Sequence, residues 1–148
     1  MKETLALFFR FGRKATEGTE QPKARLTPAD GAVLEPGIVS QLRELERSTP
    51  GLLGQLQGLF LARTAEGVSA IEEALGNENA TGVAQQAHAL KGAALNLGAR
   101  DLAQVCGVME QDANNGRLAA ARAGLEPLQQ EVVRARRAVD ELVSSCGS

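Results

Sequence analysis

Apolar positions recur at intervals of three and four along most of the chain, the spacing that gathers side chains on one face of an α-helix. Leu34, Ile38, Leu42 and Leu45 make such a face in a short first helix beginning near Val33. Ser48-Thr49-Pro50 then reads as a helix start, with Thr49 placed to cap exposed amides and Pro50 lacking an amide to leave unpaired. Leu53, Leu56, Phe60, Thr64, Val68, Ile71 and Leu75 carry a stripe to Gly76, and Gly67 is expected to bend or weaken this long helix. Asn77-Glu78-Asn79 predicts a turn in which Asn79 caps a third helix over residues 80–97. Its stripe is Val83, Ala87, Leu90, Ala94 and Leu97, and Gly98 is its stop signal. A fourth helix over residues 101–114 presents Leu102, Val105, Cys106, Met109 and Ala113, closed by Asn114-Asn115-Gly116. The last and most regular run is Leu118, Ala121, Leu125, Leu128, Val132, Ala135, Val139 and Leu142, with a bend expected at Pro127.

No segment has the pattern of a sheet. The expected fold is all-α, an antiparallel four-helix bundle with an additional short N-terminal helix covering one end. Residues 12–31 lack periodicity and contain Pro22 and Pro28, so residues 1–31 read as a flexible leader and linker. Residues 32–143 form the expected bundle domain, and residues 144–148 a fraying tail.

Composition supports the helical reading. The 148 residues include neither Trp nor Tyr, whereas sheets draw more heavily on aromatic and β-branched side chains. A net charge of -2 argues against a nucleic-acid binder. Cys106 holds a core-like position and Cys146 lies in a Ser/Gly-rich end; with neither in a CxxC pair and one histidine in the chain, zinc is poorly supported. A reducing, cytoplasmic setting is the simplest fit. The opening Met1-Lys2-Glu3-Thr4-Leu5-Ala6-Leu7-Phe8-Phe9-Arg10-Phe11 is too short and interrupted for a secretory signal. It reads as a membrane-surface or partner-docking segment, or as a leader without a role of its own.

The lone histidine, His88, points away from the oily stripe of the third helix, roughly 140° from its middle at about 100° per residue. Lys91 and Gly92 follow one turn later. A neutral exposed imidazole can attack phosphorus through one ring nitrogen while the other keeps its proton. Lys91 would offset the added charge, and Gly92 would leave room for a partner's active site. Gln85, a turn earlier, is a candidate hydrogen-bonding neighbour; Leu95 is a candidate apolar docking contact; Asn96 either bonds a neighbouring helix end or serves the surface. Each residue also has an ordinary explanation, since a single surface histidine, a solvated lysine and a helix glycine occur without function. Glu72 beside Glu73, and Glu110 near Asp112, read as solvated helix faces. No GxxxxGK[ST] phosphate cradle or dinucleotide fingerprint is present. The donor and much of the transition-state stabilisation are therefore expected from a partner.

The run His88-Ala89-Leu90-Lys91-Gly92-Ala93-Ala94-Leu95-Asn96-Leu97-Gly98-Ala99 resembles the histidine-containing phosphotransfer family of bacterial multistep two-component phosphorelays. The resemblance extends more loosely from Leu34 to Leu142 and leaves the leader unexplained. It implies His88 as phosphoacceptor, Lys91 as phosphate support and Gly92 as clearance. It also implies a relay in which a receiver-domain aspartate passes its phosphoryl group to His88, which passes it to another receiver aspartate. The implied partners are the receiver domains of a hybrid histidine kinase and a response regulator. No intrinsic cofactor is expected, with Mg2+ on the partner receiver. Ala93 stands where relatives often carry a small hydroxyl residue, and Leu95 is bulkier than the alanine often found there. The chain is then a phosphotransfer protein with a phosphohistidine intermediate, not an autonomous ATP-dependent kinase. It is expected to be monomeric and cytoplasmic, near the membrane if the leader or a parent kinase brings it there. Two alternatives remain at this level: a non-catalytic adaptor binding receiver or kinase domains, and a structural bundle that dimerises through its last helix.

Overall fold

The computed structural model describes residues 33–147, so the leader and linker of residues 1–31 lie outside the described residues. Six helical segments follow one another: α1 (Pro36–Ser48), α2 (Leu52–Gly76), α3 (Ala80–Asn96), α4 (Arg100–Asn114), the short α5 (Leu118–Ala123) and α6 (Leu125–Gly147). Helix α3 packs on α2 and α4, and each of those also packs on α6, which closes a ring of four. Tight turns join α2 to α3 and α3 to α4, which makes consecutive helices antiparallel. Helix α1 leans across the end where the α3–α4 turn and the last residues of α6 meet. There Glu35 donates its backbone amide to the Gly98 carbonyl at 2.7 Å, and Arg43 reaches Ser145 Oγ at 3.3 Å. Among the described residues no helix is long and apolar enough to cross a membrane.

The apolar stripes meet inside the ring. Ile71 from α2, Val83 and Ala87 from α3, Cys106 and Met109 from α4 and Leu128 from α6 are almost wholly buried. At Gly67 the missing side chain lets α3 approach α2 closely, since an added Cβ would lie 3.2 Å from Leu90 Cδ1. Gly67 is thus the seat of a neighbouring leucine, and α2 runs without a break across it. Thr64 is fully buried and donates its hydroxyl to the Leu61 carbonyl at 3.1 Å, so the stripe's one polar member is satisfied.

Helix ends show where the periodic pattern misleads. Leu34 precedes α1 and pairs with Ala99 in an isolated antiparallel bridge, while Leu45 is 44% exposed instead of joining the core face. Thr49 ends α1 rather than capping α2, which starts after Gly51 in the left-handed region at φ 96°. The orphan amides of α2 are met by Glu46 of the preceding helix, which accepts from Gly51 N at 3.0 Å and Leu53 N at 2.9 Å. Asn79 caps α3 as expected, accepting from Gly82 N at 3.0 Å. The expected single last helix is interrupted at Gly124, and Pro127 sits in the first turn of α6. A proline there lacks an amide that a first turn would leave unpaired, so the chain restarts its helix instead of bending it. Helix α6 then runs on through Gly147, over residues read from sequence as a tail.

Candidate functional site

The site lies across α3 and α4. The α3 stripe of Val83, Ala87, Leu90 and Ala94 is buried, which turns the opposite side of the helix to solvent. His88 stands there with 68% of its side chain exposed. The reason is local and simple: 3.6 residues per turn cannot bring position 88 to the same side as 83, 87 and 90.

Glu110 of α4 meets the ring. Its Oε2 lies 2.9 Å from His88 Nδ1, and its Oε1 lies 3.1 Å from Lys91 Nζ. One carboxylate therefore spans the imidazole and the ammonium, with each oxygen assigned to one of them. Burial works to raise the Glu110 carboxyl, but the hydrogen bond and charge of Lys91, followed by those of His88, outweigh it and hold the group below its ordinary value. A carboxylate accepts at Nδ1 only if that nitrogen carries the proton, which leaves Nε2 with the free lone pair.

The stem of Lys91 crosses α4 at Gly107, where an added Cβ would sit 3.6 Å from Lys91 Cδ. The missing side chain gives the lysine a bed from which its ammonium reaches Glu110. Gly92 is different: nothing lies within 4 Å of the position its Cβ would take, so no packing demand inside this molecule explains it. Leu95 is 46% exposed on the same outward side as His88. Asn96 is exposed at the end of α3, and Gln85 is exposed without a hydrogen-bond partner among the described residues.

The structure thus joins His88 and Lys91 through Glu110 and shows no hydrogen bond from Gln85 to either. It also corrects the reading of Glu110 as a solvated carboxylate. The signal for this residue was present: His88 lies eleven positions before Ala99 and Glu110 eleven after it, as Lys91 and Gly107 lie eight before and eight after. In an antiparallel pair of helices, residues equidistant from the turn stand at the same height. Periodicity within one helix does not display that relation.

The thiol of Cys106, buried beneath Lys91 and Glu110, is pushed up to about 12, chiefly by burial. It stays neutral at physiological pH and makes a poor nucleophile. Among the described residues no group of His, Cys, Asp and Glu is arranged to hold a metal ion. A groove of about 390 Å³ between α4, α5 and α6, with Val105, Val108 and Met109 in its wall, is lined by none of the site residues. His88 and Leu95 stand exposed on one side of α3, open to contact with another protein.

An antiparallel four-helix bundle with an exposed histidine on one helix, flanked by a lysine and a glycine, defines a class of protein phosphocarrier. The family model described as Hpt domain matches residues 55–144, more than half of the chain, and the chain belongs to that family. It is also similar to the crystal structure of histidine-containing phosphotransfer protein B (HptB) from Pseudomonas aeruginosa PAO1. That likeness has a TM-score of 0.67 and 26% sequence identity, and it covers 74% of this chain and 92% of the other. A search of curated proteins found no match.

Proposed function

We propose that the protein is a phosphorelay intermediate, accepting a phosphoryl group from a receiver-domain aspartate onto His88 Nε2 and passing it to another receiver aspartate. The observation that carries this reading is the exposed imidazole with Nδ1 tied to Glu110 and Lys91 one turn away, on a chain of the Hpt family. The Nε2 lone pair attacks phosphorus in line, the P–O bond to the donor aspartate breaks, and its electron pair leaves with the carboxylate. Lys91 lies close enough to support the phosphoryl oxygens, and Gly92 leaves the approach open. Mg2+ belongs to the partner receiver in this scheme, where it neutralises charge on the transferring group. Leu95 supplies an apolar contact at the rim of a wet interface. The partners proposed are receiver domains of a hybrid histidine kinase and a response regulator, met by a monomer.

The test is phosphotransfer from a panel of phosphorylated receiver domains to the purified full chain and to its His88→Gln variant. The parent is expected to acquire acid-labile, alkali-stable phosphate, and the variant none, with circular dichroism unchanged because the ring contributes nothing to the core. Phosphate on H88Q at the parent's level would overturn the assignment. Receiver binding that survives in H88Q, with no transferable phosphate on the parent, would identify an adaptor instead.

A further inference from the structure

The turn that closes α4 carries a chemistry that the site on α3 does not use. The side-chain amide of an asparagine is a latent electrophile for the backbone nitrogen of the residue that follows it. The following side chain shields that nitrogen and restricts the rotation it needs, unless the residue is glycine. The chain's asparagines are Asn77, Asn79, Asn96, Asn114 and Asn115, followed by Glu78, Ala80, Leu97, Asn115 and Gly116 in turn. Asn79 is further held by its capping bond, in which Oδ1 accepts from Gly82 N at 3.0 Å. Asn115 has no such restraint: it is exposed, and its side chain makes no hydrogen bond among the described residues. The place where a Gly116 Cβ would stand is open space, and this glycine occupies the left-handed region at φ 76°.

We infer that Asn115 is a deamidation site, the place where the folded protein ages into aspartyl and isoaspartyl forms. The Gly116 nitrogen gives up its proton to hydroxide and attacks Asn115 Cγ. The new N–Cγ bond closes a succinimide ring, and the Cγ–Nδ2 bond breaks. Its electron pair leaves with the nitrogen, which takes a proton from water and departs as ammonia. Water then opens the ring. Cleavage at Cγ leaves aspartate in an ordinary backbone, whereas cleavage at the main-chain carbonyl leaves isoaspartate, whose backbone runs through the side chain. In the native turn Gly116 donates its amide to the Ala113 carbonyl at 3.0 Å, and Arg117 donates to the Asp112 carbonyl at 2.8 Å. Ring closure requires the first of these bonds to open, so fraying of a helix end paces the reaction, without global unfolding. Both products weaken the turn they replace. A carboxylate at residue 115, the C-cap, meets the negative end of the α4 dipole. The extra backbone carbon of isoaspartate dislocates the two amide bonds that finish the helix. The turn is thus an age-dependent weak point at the end of the helix that carries Glu110.

The control variant is Asn115→Gln, which keeps the amide but would have to close a larger ring, a far slower step. Full-length parent and N115Q would be incubated, folded, at mildly alkaline pH and sampled over weeks. Intact mass follows the exchange of NH2 for OH, and peptide mapping with an isoaspartyl methyltransferase locates it. The parent is expected to gain that mass at Asn115 several-fold faster than at any other asparagine, with isoaspartate exceeding aspartate. N115Q is expected to lose most of the gain. The aged parent, separated by anion exchange through its added charge, is expected to unfold at a lower urea midpoint than fresh protein, while incubated N115Q keeps its midpoint. An Asn115 peptide that stays intact in the folded parent, or a mass gain spread evenly over the asparagines, would overturn the site. An aged fraction with the midpoint of fresh protein would overturn the weakening. None of these results bears on His88 as phosphoacceptor, which the labelling of H88Q tests separately.

Discussion

At the scale of single residues, Gly92 is the most diagnostic member of the site. A glycine inside a helix costs roughly 0.5–1 kcal/mol relative to alanine, and here no neighbour within the molecule requires it, since its Cβ position is open space. Gly92→Ala is therefore expected to stabilise the free protein by about 0.5–1 kcal/mol, read as a higher midpoint in urea denaturation, while slowing phosphotransfer from a receiver several-fold. Loss of stability without loss of transfer would return Gly92 to the class of packing glycines. The placement of His88, Lys91 and Gly92 off the buried stripe was legible because helical spacing alone separates them from it. Glu110 was not, because its role arises from the height at which two helices pair. Sequence offered Gln85 as a polar neighbour on the same helix, whereas the ring's hydrogen bond is made to α4.

At the scale of helices, the periodic stripes fixed how many long elements there are, and most of the residues assigned to their faces are buried. What they left undetermined were junctions. The α1–α2 corner is made by a carboxylate reaching five and seven residues ahead, a tertiary-like contact that no local capping motif announces. The break at Gly124 was hidden because the apolar spacing continues across it and its two halves bury the same side. The Glu46 contacts carry a measurable sign. Hydrogen bonds from the Gly51 and Leu53 amides hold the Glu46 carboxyl below its ordinary value in the folded protein. A depressed folded value contributes stability above the unfolded value, roughly pH 4.3, and that contribution fades as pH falls through the folded one. Glu46→Gln is expected to lower the melting temperature at pH 7, and the gap from the parent should narrow as pH is taken below about 4. A gap that is constant from pH 7 to 3 would show that the charge is not what joins the two helices.

At the scale of the whole molecule, the bundle is built almost entirely from aliphatic and alanine contacts, with Phe60 the one buried aromatic among the described residues. The stripe of the last helix, from Leu128 through Val132, Ala135 and Val139 to Leu142, is consumed inside the ring. Fold class was therefore readable from spacing, and the route of α1 across the bundle end was not. That route depends on Gly98, whose φ of 73° turns the chain and whose missing Cβ lets Ile38 approach within 2.9 Å of the place it would occupy.

The two thiols lie in opposite circumstances, Cys106 sealed beneath the site and Cys146 part-exposed on the final turns beside Arg43. An alkylating dye applied to the native protein should consequently stop at one equivalent, attached to Cys146, and take up a second only when denaturant opens the interior. A ratio of two without denaturant would mean that the bundle breathes far more than its packing allows. A single tag at that place gives a fluorescent handle remote in sequence from the reactive ring, fit for following receiver association without disturbing the chemistry being followed.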